Sequence, residues 1–139
     1  MEMGKFRFLV VDDSEMICQF VSQLLRGMGV TNIKAASDGE SALVELHGAL
    51  DAGTPYHVVI LDWEMPKKSG YDLLVELRAD NRFNETGFIM CSTVSDETRI
   101  RRIAQLKPNA YIVKPFTPQA FQARVEALVR EIEQKTSGG

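Results

Sequence analysis

Short apolar runs alternate along the chain with longer stretches in which apolar residues recur every three or four positions. The clearest runs are residues 8–11, 58–61 and 88–91. A continuous apolar run predicts a strand that is buried on both faces, and a period of three to four residues predicts a helix with one apolar side. The pattern therefore predicts strands and helices in alternation.

Five such strand-and-helix units can be traced. The predicted strands are residues 6–11, 32–35, 57–61, 88–91 and 110–113. Each predicted helix has a start signal in the sequence. In chain order, the signals are Ser14, the capping-box sequence of residues 37–40 that begins with Ser37, the turn through residues 66–70, Asp96 and the pair Thr117-Pro118. The fourth helix is expected to run from Asp96 to Leu106. Residues 48–56, which contain two glycines and a proline, are predicted to form a loop.

The order of these elements decides the fold class. Parallel strands need crossover connections, and a helix after each strand supplies one. The predicted fold is therefore α/β, with a five-stranded parallel sheet covered by helices on both faces. A chain of 139 residues has the size of one domain.

Composition and charge exclude several classes of protein. Hydrophobic residues make up 45% of the chain and charged residues 25%, as in ordinary globular proteins. Sixteen basic and nineteen acidic residues give a net charge of -3, which argues against direct binding to nucleic acid. The apolar runs are far shorter than the roughly 20 residues that span a bilayer. The amino terminus also lacks a signal-peptide pattern, so we expect a cytoplasmic protein without a membrane partner.

Polar residues stand where the predicted strands end. The first strand is followed by Asp12 and Asp13, the third by Asp62 and the fifth by Lys114, and the fourth ends at Ser92. In an open parallel sheet these ends meet at one edge, where ligands bind. Each residue alone could be a helix cap or a loop residue. The whole set is hard to explain by capping.

Three neighbouring carboxylates point to a metal ion and to phosphoryl chemistry. They repel one another, and one lysine cannot neutralise them, so a divalent cation is implied. Oxygen ligands together with a phosphate favour Mg²⁺. A carboxylate beside Mg²⁺ can attack phosphorus and form an aspartyl phosphate. Asp62 is the better nucleophile candidate because it stands alone after the most apolar strand, which leaves Asp12 and Asp13 for the metal.

Four motifs in this order resemble those of response regulator receiver domains of the single-domain, CheY-like type. They are Leu-Val-Val-Asp-Asp-Ser at residues 9–14, Leu-Asp-Trp-Glu-Met-Pro at residues 61–66 with Gly70 following, Ser92-Thr93, and Tyr-Ile-Val-Lys-Pro-Phe at residues 111–116. The resemblance covers residues 5–133, which implies one receiver domain there and leaves residues 134–139 as a flexible tail. It also implies the flavodoxin-like strand order 2-1-3-4-5.

The resemblance implies a role for each strand-end residue. Asp62 would accept a phosphoryl group from a sensor histidine kinase. Mg²⁺ would be held by four oxygen-bearing groups, namely the side chains of Asp12, Asp13 and Asp62 and the backbone carbonyl of Glu64. Lys114 would contact the phosphoryl group, and its peptide bond to Pro115 would be cis.

The resemblance also implies how a signal leaves the site. Ser92 would bond to the phosphoryl group and draw its loop inward, and Tyr111 would rotate inward behind it. The output would be a shift of a two-state equilibrium on the face of the fourth helix, fifth strand and fifth helix. A partner bound in trans would read this face of a monomeric chain. Regulation of the flagellar motor in chemotaxis is the expected role, with a phosphorelay intermediate or another single-domain regulator as the alternative.

Two rim positions and a run of arginines carry further hypotheses. Glu64 and Val94 are expected to flank the path of attacking water and to set the lifetime of the phosphoryl group, because family members vary at these positions. Arg99, Arg101 and Arg102 on the fourth helix could contact an acidic partner, or they could form an ordinary solvated helix face.

Two other functions fit parts of the pattern. A haloacid-dehalogenase-like phosphatase also forms an aspartyl phosphate with Mg²⁺, and Asp62-Trp63-Glu64 resembles its acid-x-acid nucleophile. Such enzymes, however, place the nucleophile after the first strand and usually carry a cap domain. A pseudo-receiver scaffold would bind partners without phosphorylation, yet the acids, the hydroxyl and the lysine are all retained. We therefore expect no enzyme activity beyond the chain's own phosphorylation and dephosphorylation.

Overall fold

Strands and helices alternate through the described part of the chain, which in this computed structural model comprises residues 2–137, with side chains described for residues 2–135. The strands are β1 (Arg7–Val11), β2 (Asn32–Ala36), β3 (Val58–Leu61), β4 (Gly87–Ser92) and β5 (Ala110–Val113). The helices are α1 (Glu15–Gly27), α2 (Gly39–Asp51), α3 (Gly70–Arg78), α4 (Glu97–Ala104) and α5 (Pro118–Ser137). Single 3₁₀ turns form at Met3–Lys5 and Asn81–Phe83.

The strands form one parallel sheet in the order β2-β1-β3-β4-β5. Val11 of β1 lies beside Leu61 of β3, and Leu61 lies beside Met90 of β4. Because all strands run in one direction with their ends in step, their carboxyl ends meet along a single edge of the sheet. The predicted fold class and strand order are confirmed.

The three inner strands β1, β3 and β4 are buried on both faces, because their successive side chains point in opposite directions and helices cover both sides. Phe8 and Val10 of β1 pack in the layer beneath α1 and α5, whereas Leu9 and Val11 pack in the layer beneath α2, α3 and α4. All four are at most 1% exposed, and burial of each such side chain contributes about 1.5–3 kcal/mol. Covered faces explain why the strands are continuous apolar runs in the sequence.

Side-chain caps mark the starts of the helices. The Ser14 hydroxyl accepts a hydrogen bond from the N–H of Ile17 at 3.3 Å, as predicted for the start of α1. Thr117 caps α5 in the same way, with Pro118 as the first helical residue. The prediction for α2 is wrong by one residue, because the cap is Asp38 and not Ser37. Asp38 Oδ1 accepts from Ser41 N–H at 2.7 Å, and its negative charge also suits a helix N-terminus.

The ends of three helices differ from the predictions. Helix α2 continues to Asp51, so the first residues of the predicted loop 48–56 are helical. A glycine inside a helix costs only about 1 kcal/mol, and the buried Leu46 and partly buried Leu50 offset that cost by packing on the sheet. Helix α4 ends at Ala104 and not at Leu106, because the next three N–H groups donate to carbonyls three residues earlier and not four. The backbone then turns at Lys107, where φ is 52°.

Helix α5 runs to Ser137, so the tail predicted to begin at residue 134 is helical to that point. Residues 138 and 139 lie outside the described residues. Within the described chain, none of the helices has both the length and the apolar character needed to cross a membrane.

Candidate functional site

The last hydrogen bonds of the sheet fix the backbone of the strand-end residues. The N–H of Asp12 donates to the last carbonyl of β2 at 3.1 Å, the N–H of Asp62 to the last carbonyl of β1 at 3.0 Å, and the N–H of Lys114 to the last carbonyl of β4 at 2.8 Å. Each residue thus extends the sheet by one position. Three of the predicted site residues are in this way held at one edge by the backbone.

Three carboxylates meet at this edge. One oxygen from each of Asp12, Asp13 and Asp62 lies within 4.8 Å of the others. Asp12 is buried, Asp62 is half-buried and Asp13 is exposed, so the cluster is open to solvent on one side. The N–H of Ser14 donates to Asp12 Oδ1 at 2.9 Å and orients that carboxylate. A set of oxygen donors with one open side fits a hard cation such as Mg²⁺, which keeps several of its waters.

Lys114 enters the cluster from the end of β5. Its Nζ lies 2.7 Å from Asp12 Oδ2 and 3.7 Å from Asp62 Oδ2. Burial by itself lowers the pKa of Lys114, but the hydrogen bond to Asp12 and the charges of both carboxylates outweigh burial, and the pKa is raised. The ammonium therefore remains charged between the two acids. The peptide bond from Lys114 to Pro115 is cis.

The Asp62 carboxylate is partly withdrawn from water. Burial raises the pKa of Asp62, the Lys114 charge opposes this, the Asp12 charge adds to it, and the net pKa lies above the ordinary value. The N–H of Trp63 donates to Asp62 Oδ1 at 2.7 Å, while Oδ2 lies on the side of Lys114. One oxygen is thus anchored by the backbone and the other faces a cation.

Gly70 supports the end of β3 from the start of α3, a role that the sequence analysis did not assign. Its N–H donates to the carbonyl oxygen of Trp63 at 2.7 Å. A Cβ at this position would lie 1.8 Å from the carbonyl oxygen of Asp62, closer than any two such atoms can approach. The available signal was a glycine at the start of a helix, where Ser, Thr or Asp residues and proline are the commoner choices.

Ser92 and Tyr111 contact the same loop residue. The N–H of Val94 donates to Ser92 Oγ at 3.2 Å, and the Tyr111 hydroxyl donates to the carbonyl of Val94 at 2.5 Å. Burial raises the pKa of Tyr111, which keeps the hydroxyl protonated as a donor. Tyr111 thus already points inward in this structure, the position that the resemblance implies for the phosphorylated state.

The two rim positions differ in exposure. Glu64 is exposed, as expected for a residue that meets incoming water. Val94 is only 3% exposed and packs in the apolar layer beneath α2, α3 and α4. Burial of this apolar side chain is favourable, and Val94 anchors the loop that Ser92 and Tyr111 contact. That Glu64 and Val94 set the lifetime of the phosphoryl group stays a prediction.

Comparison with known sequences places the chain in a family. Residues 8–126 match the response regulator receiver domain. The chemotaxis protein CheY1 of Helicobacter pylori strain J99 is 37% identical over 88% of this chain and 96% of its own length. The chemotaxis protein CheY of Pseudomonas aeruginosa is 33% identical over 91% of this chain and 98% of its own length.

Comparison with solved structures agrees with the sequence match. Chemotaxis protein CheY4 of Vibrio cholerae has a TM-score of 0.77 at 26% identity, covering 88% of this chain and 98% of that one. A chain of the CheX-CheY-BeF₃-Mg²⁺ complex from Borrelia burgdorferi has a TM-score of 0.80 at 26% identity and covers 89% of both chains. The strand-end carboxylates and lysine thus lie on a fold shared with chemotaxis regulators of two-component signalling. The chain belongs to the family of response regulator receiver domains.

Proposed function

We propose that this receiver domain is a switch that is activated when Asp62 accepts a phosphoryl group with the help of Mg²⁺. One observation carries the proposal: the Asp62 carboxylate lies within 4.8 Å of two other carboxylates and 3.7 Å from a lysine ammonium. Family membership supplies the class of signalling protein, and the geometry of the site supports the choice of acceptor.

The metal would be held by Asp12, Asp13, Asp62 and the backbone carbonyl of Glu64. When bound, Mg²⁺ would neutralise the carboxylates and the negative charge of the transferred phosphoryl group. The close spacing of the three carboxylates supports this assignment, because their mutual repulsion is relieved when a cation is shared.

The transfer step needs few groups from the protein. An Asp62 oxygen would attack the phosphorus of a phosphohistidine on the donor kinase, forming a carboxyl oxygen-to-phosphorus bond. The phosphorus-to-nitrogen bond breaks, and its electron pair remains on the imidazole of the donor. Lys114, 3.7 Å from Asp62 Oδ2, would stabilise the phosphoryl oxygens. The reacting group belongs to the protein itself, so we propose that the chain is not an enzyme toward other substrates.

The signal would leave the site through the loop that follows β4. The Ser92 hydroxyl can donate a hydrogen bond to a phosphoryl oxygen while it continues to accept one from Val94. Since the Tyr111 hydroxyl holds the same loop from β5, a displacement of the loop toward Asp62 also pulls on β5. The phosphoryl group would thereby bias an existing equilibrium between two arrangements of α4 and β5.

The output surface would be the face formed by α4, β5 and α5. Strand β5 is an edge strand of the sheet, and its Val113 is 44% exposed. A partner bound in trans, such as the flagellar motor switch, would read this face of the monomeric chain. The chemotaxis relatives support this role over that of a phosphorelay intermediate. The cytoplasmic location expected from the sequence stays a prediction.

The lifetime of the phosphoryl group would depend on Glu64. Its exposed carboxylate stands two residues after the acceptor, where a negative charge acts on the approach of water to the phosphoryl group. Glu64→Asn should therefore change the half-life of the phosphorylated protein, measured by the decay of the modified mass. An unaltered half-life would remove this role.

Beryllofluoride, a mimic of the phosphoryl group, tests the proposal. Trp63, the single tryptophan of the chain, follows the acceptor directly, so its fluorescence should change on titration with beryllofluoride and Mg²⁺. The Asp62→Asn variant should show no change, and Asp72→Asn, which removes an exposed carboxylate from α3, should respond like the parent. A response of Asp62→Asn equal to that of the parent would mean that the acceptor is another residue.

Turnover separates this switch from a phosphatase. Asp62 follows β3 and not β1, whereas the haloacid-dehalogenase-like alternative places its nucleophile after the first strand. We expect one phosphoryl group to be bound per chain and no continuing hydrolysis of p-nitrophenyl phosphate. Sustained turnover that Asp62→Asn abolishes would favour the enzyme.

A further inference from the structure

Two aromatic rings and an arginine form a stack between the acceptor strand and α4. The Trp63 and Tyr71 rings are 5.3 Å apart at an angle of 25°. The Arg102 guanidinium of α4 lies 4.8 Å from the centre of the Tyr71 ring. Trp63 is buried, Tyr71 is half-buried and Arg102 is exposed. The stack therefore leads from beside the acceptor to the surface of α4.

The inner end of the stack orients the acceptor carboxylate. The N–H of Trp63 donates to Asp62 Oδ1 at 2.7 Å, and the carbonyl of Trp63 accepts from Gly70 N–H at 2.7 Å. Trp63 is 7% exposed, and its ring rests on Tyr71. The packing on Tyr71 and the hydrogen bond from Gly70 thus hold the residue whose N–H contacts the Asp62 carboxylate.

At the outer end of the stack, Arg102 makes a different kind of contact from the other arginines of α4. Arg99 pairs with Asp96 at 2.6 Å, and Arg101 pairs with Glu97 one turn before it. Arg102 lies over a ring instead. A planar, weakly hydrated guanidinium suits such stacking, and this contact joins α4 to α3.

We propose that Tyr71 and Arg102 are positioning residues that couple the seating of α4 to the orientation of the Asp62 carboxylate through Trp63. This inference rests on the proposed role of Asp62 as acceptor. The stack is a connection between the acceptor and α4 that does not pass through Ser92 or Tyr111. A movement of α4 away from α3 removes the cation from Tyr71, loosens the Trp63 ring and frees its N–H from Asp62 Oδ1.

Arg102→Gln tests the outer contact, and Arg101→Gln on the same helix is the matched control. An exposed cation–π contact alters an equilibrium by about two- to five-fold. Hydrogen exchange of the Trp63 backbone amide, measured without any phosphodonor, should therefore accelerate by about that factor in Arg102→Gln alone. With acetyl phosphate and Mg²⁺, the rate constant for phosphorylation should fall by a similar factor in the same variant.

Substitutions at Tyr71 separate positioning from general stability. Tyr71→Phe keeps the ring and should match the parent in amide exchange and phosphorylation rate. Tyr71→Leu removes the ring and should match Arg102→Gln. Melting temperatures of all variants show whether a change is global, since a merely structural role would move the exchange of other core amides by the same factor.

Three outcomes would overturn the coupling: equal exchange of the Trp63 amide in Arg102→Gln and Arg101→Gln, equal effects of Tyr71→Phe and Tyr71→Leu, or acceleration of all core amides together. Failure of the proposed function would look different. The parent would then acquire no phosphoryl group, while the exchange experiment, which uses no donor, would still report on the stack.

Discussion

Gly70 shows how strictly one position can govern the backbone of Asp62, the proposed acceptor. The hydrogen that serves as its side chain faces the carbonyl of Asp62, and a Cβ would lie 1.8 Å from that oxygen and 2.8 Å from its carbon. The obstacle is backbone at the end of a buried sheet, so it cannot move aside as a flexible side chain does. The start of α3 and the acceptor backbone are therefore fixed relative to each other.

Gly70→Ala should destabilise the protein by about 3 kcal/mol, at the upper end of the cost of overpacking, and should slow phosphorylation because the Asp62 backbone must shift. Urea denaturation measures the first effect, and the rate of modification by acetyl phosphate measures the second. Gly48→Ala is the matched control in α2, where the added carbon meets no atom within 4 Å apart from its chain neighbours and the backbone of its own helix. It should stabilise the protein by about 0.5–1 kcal/mol. A Gly70→Ala variant as stable as the parent would refute the close approach.

His57 lies at the opposite end of β3 from the site, and its protonation should affect the stability of the protein. Its Nδ1 accepts a hydrogen bond from the N–H of Arg7 at 2.9 Å, which requires that nitrogen to be unprotonated. Burial lowers the pKa of His57 below the ordinary 6.5, and the charges of Arg7 and Lys5 lower it further. The folded protein therefore holds this imidazole neutral.

The pH dependence of stability follows from that shift. The unfolded chain begins to bind a proton at His57 near pH 6.5, while the folded chain does so only at lower pH. At about pH 8 the His57 imidazole is neutral in both states and does not affect the free energy of unfolding. The free energy of unfolding falls as the pH drops below about 6.5 toward the pKa of His57 in the folded protein. His57→Gln should lose less stability over this range in urea denaturation. Equal losses in parent and variant would contradict the assignment.

Among the helices and strands, the sequence predicts the bounds that depend on a continuous apolar pattern. It misplaces the bounds where two local signals compete. The strand β3 ends where predicted and begins one residue after its predicted start, because an apolar run that is buried on both faces leaves little freedom. The start of α2 is misplaced because Ser37 and Asp38 can both cap a helix. Its end is misplaced because Gly48 is a stop signal that packing of Leu50 against the core outweighs.

The same contrast holds for the site. The strand-end residues could be placed together from the sequence because topology alone brings them to one edge. The closer approach of Lys114 to Asp12 than to Asp62 depends on side-chain geometry that no pattern encodes. The contact of Arg102 with Tyr71 joins two helices distant in sequence, and each residue alone resembles an ordinary surface residue.

The start of α2 offers a direct comparison of the two candidate caps. Asp38 Oδ1 accepts from both the N–H and the hydroxyl of Ser41, and these hydrogen bonds, first of all the one from the N–H, lower the pKa of Asp38. Asp38→Ala should lower the melting temperature by a few degrees, as the loss of an N-cap does. Ser37→Ala should leave it nearly unchanged. The reverse order of the two effects would restore Ser37 as the cap.

In the whole molecule, the sheet and the helices have different roles. The sheet brings carboxylates and a lysine to one edge through its last hydrogen bonds. The loops and helices around that edge, through Val94 and through the stack of Trp63, Tyr71 and Arg102, connect the acceptor to α4 and β5. A covalent change at one oxygen of Asp62 therefore has two physical connections to the proposed output face.

The proposed switch depends on the uptake of a phosphoryl group by Asp62. The most direct test is mass spectrometry of the intact protein after incubation with acetyl phosphate and Mg²⁺, followed by reduction of the acyl phosphate with borohydride and peptide mapping. We expect one added phosphoryl group per chain, mapped to Asp62, lost when Mg²⁺ is chelated and absent in Asp62→Asn. An unchanged mass in the presence of donor and metal, or a modification mapped to any other residue, would contradict it.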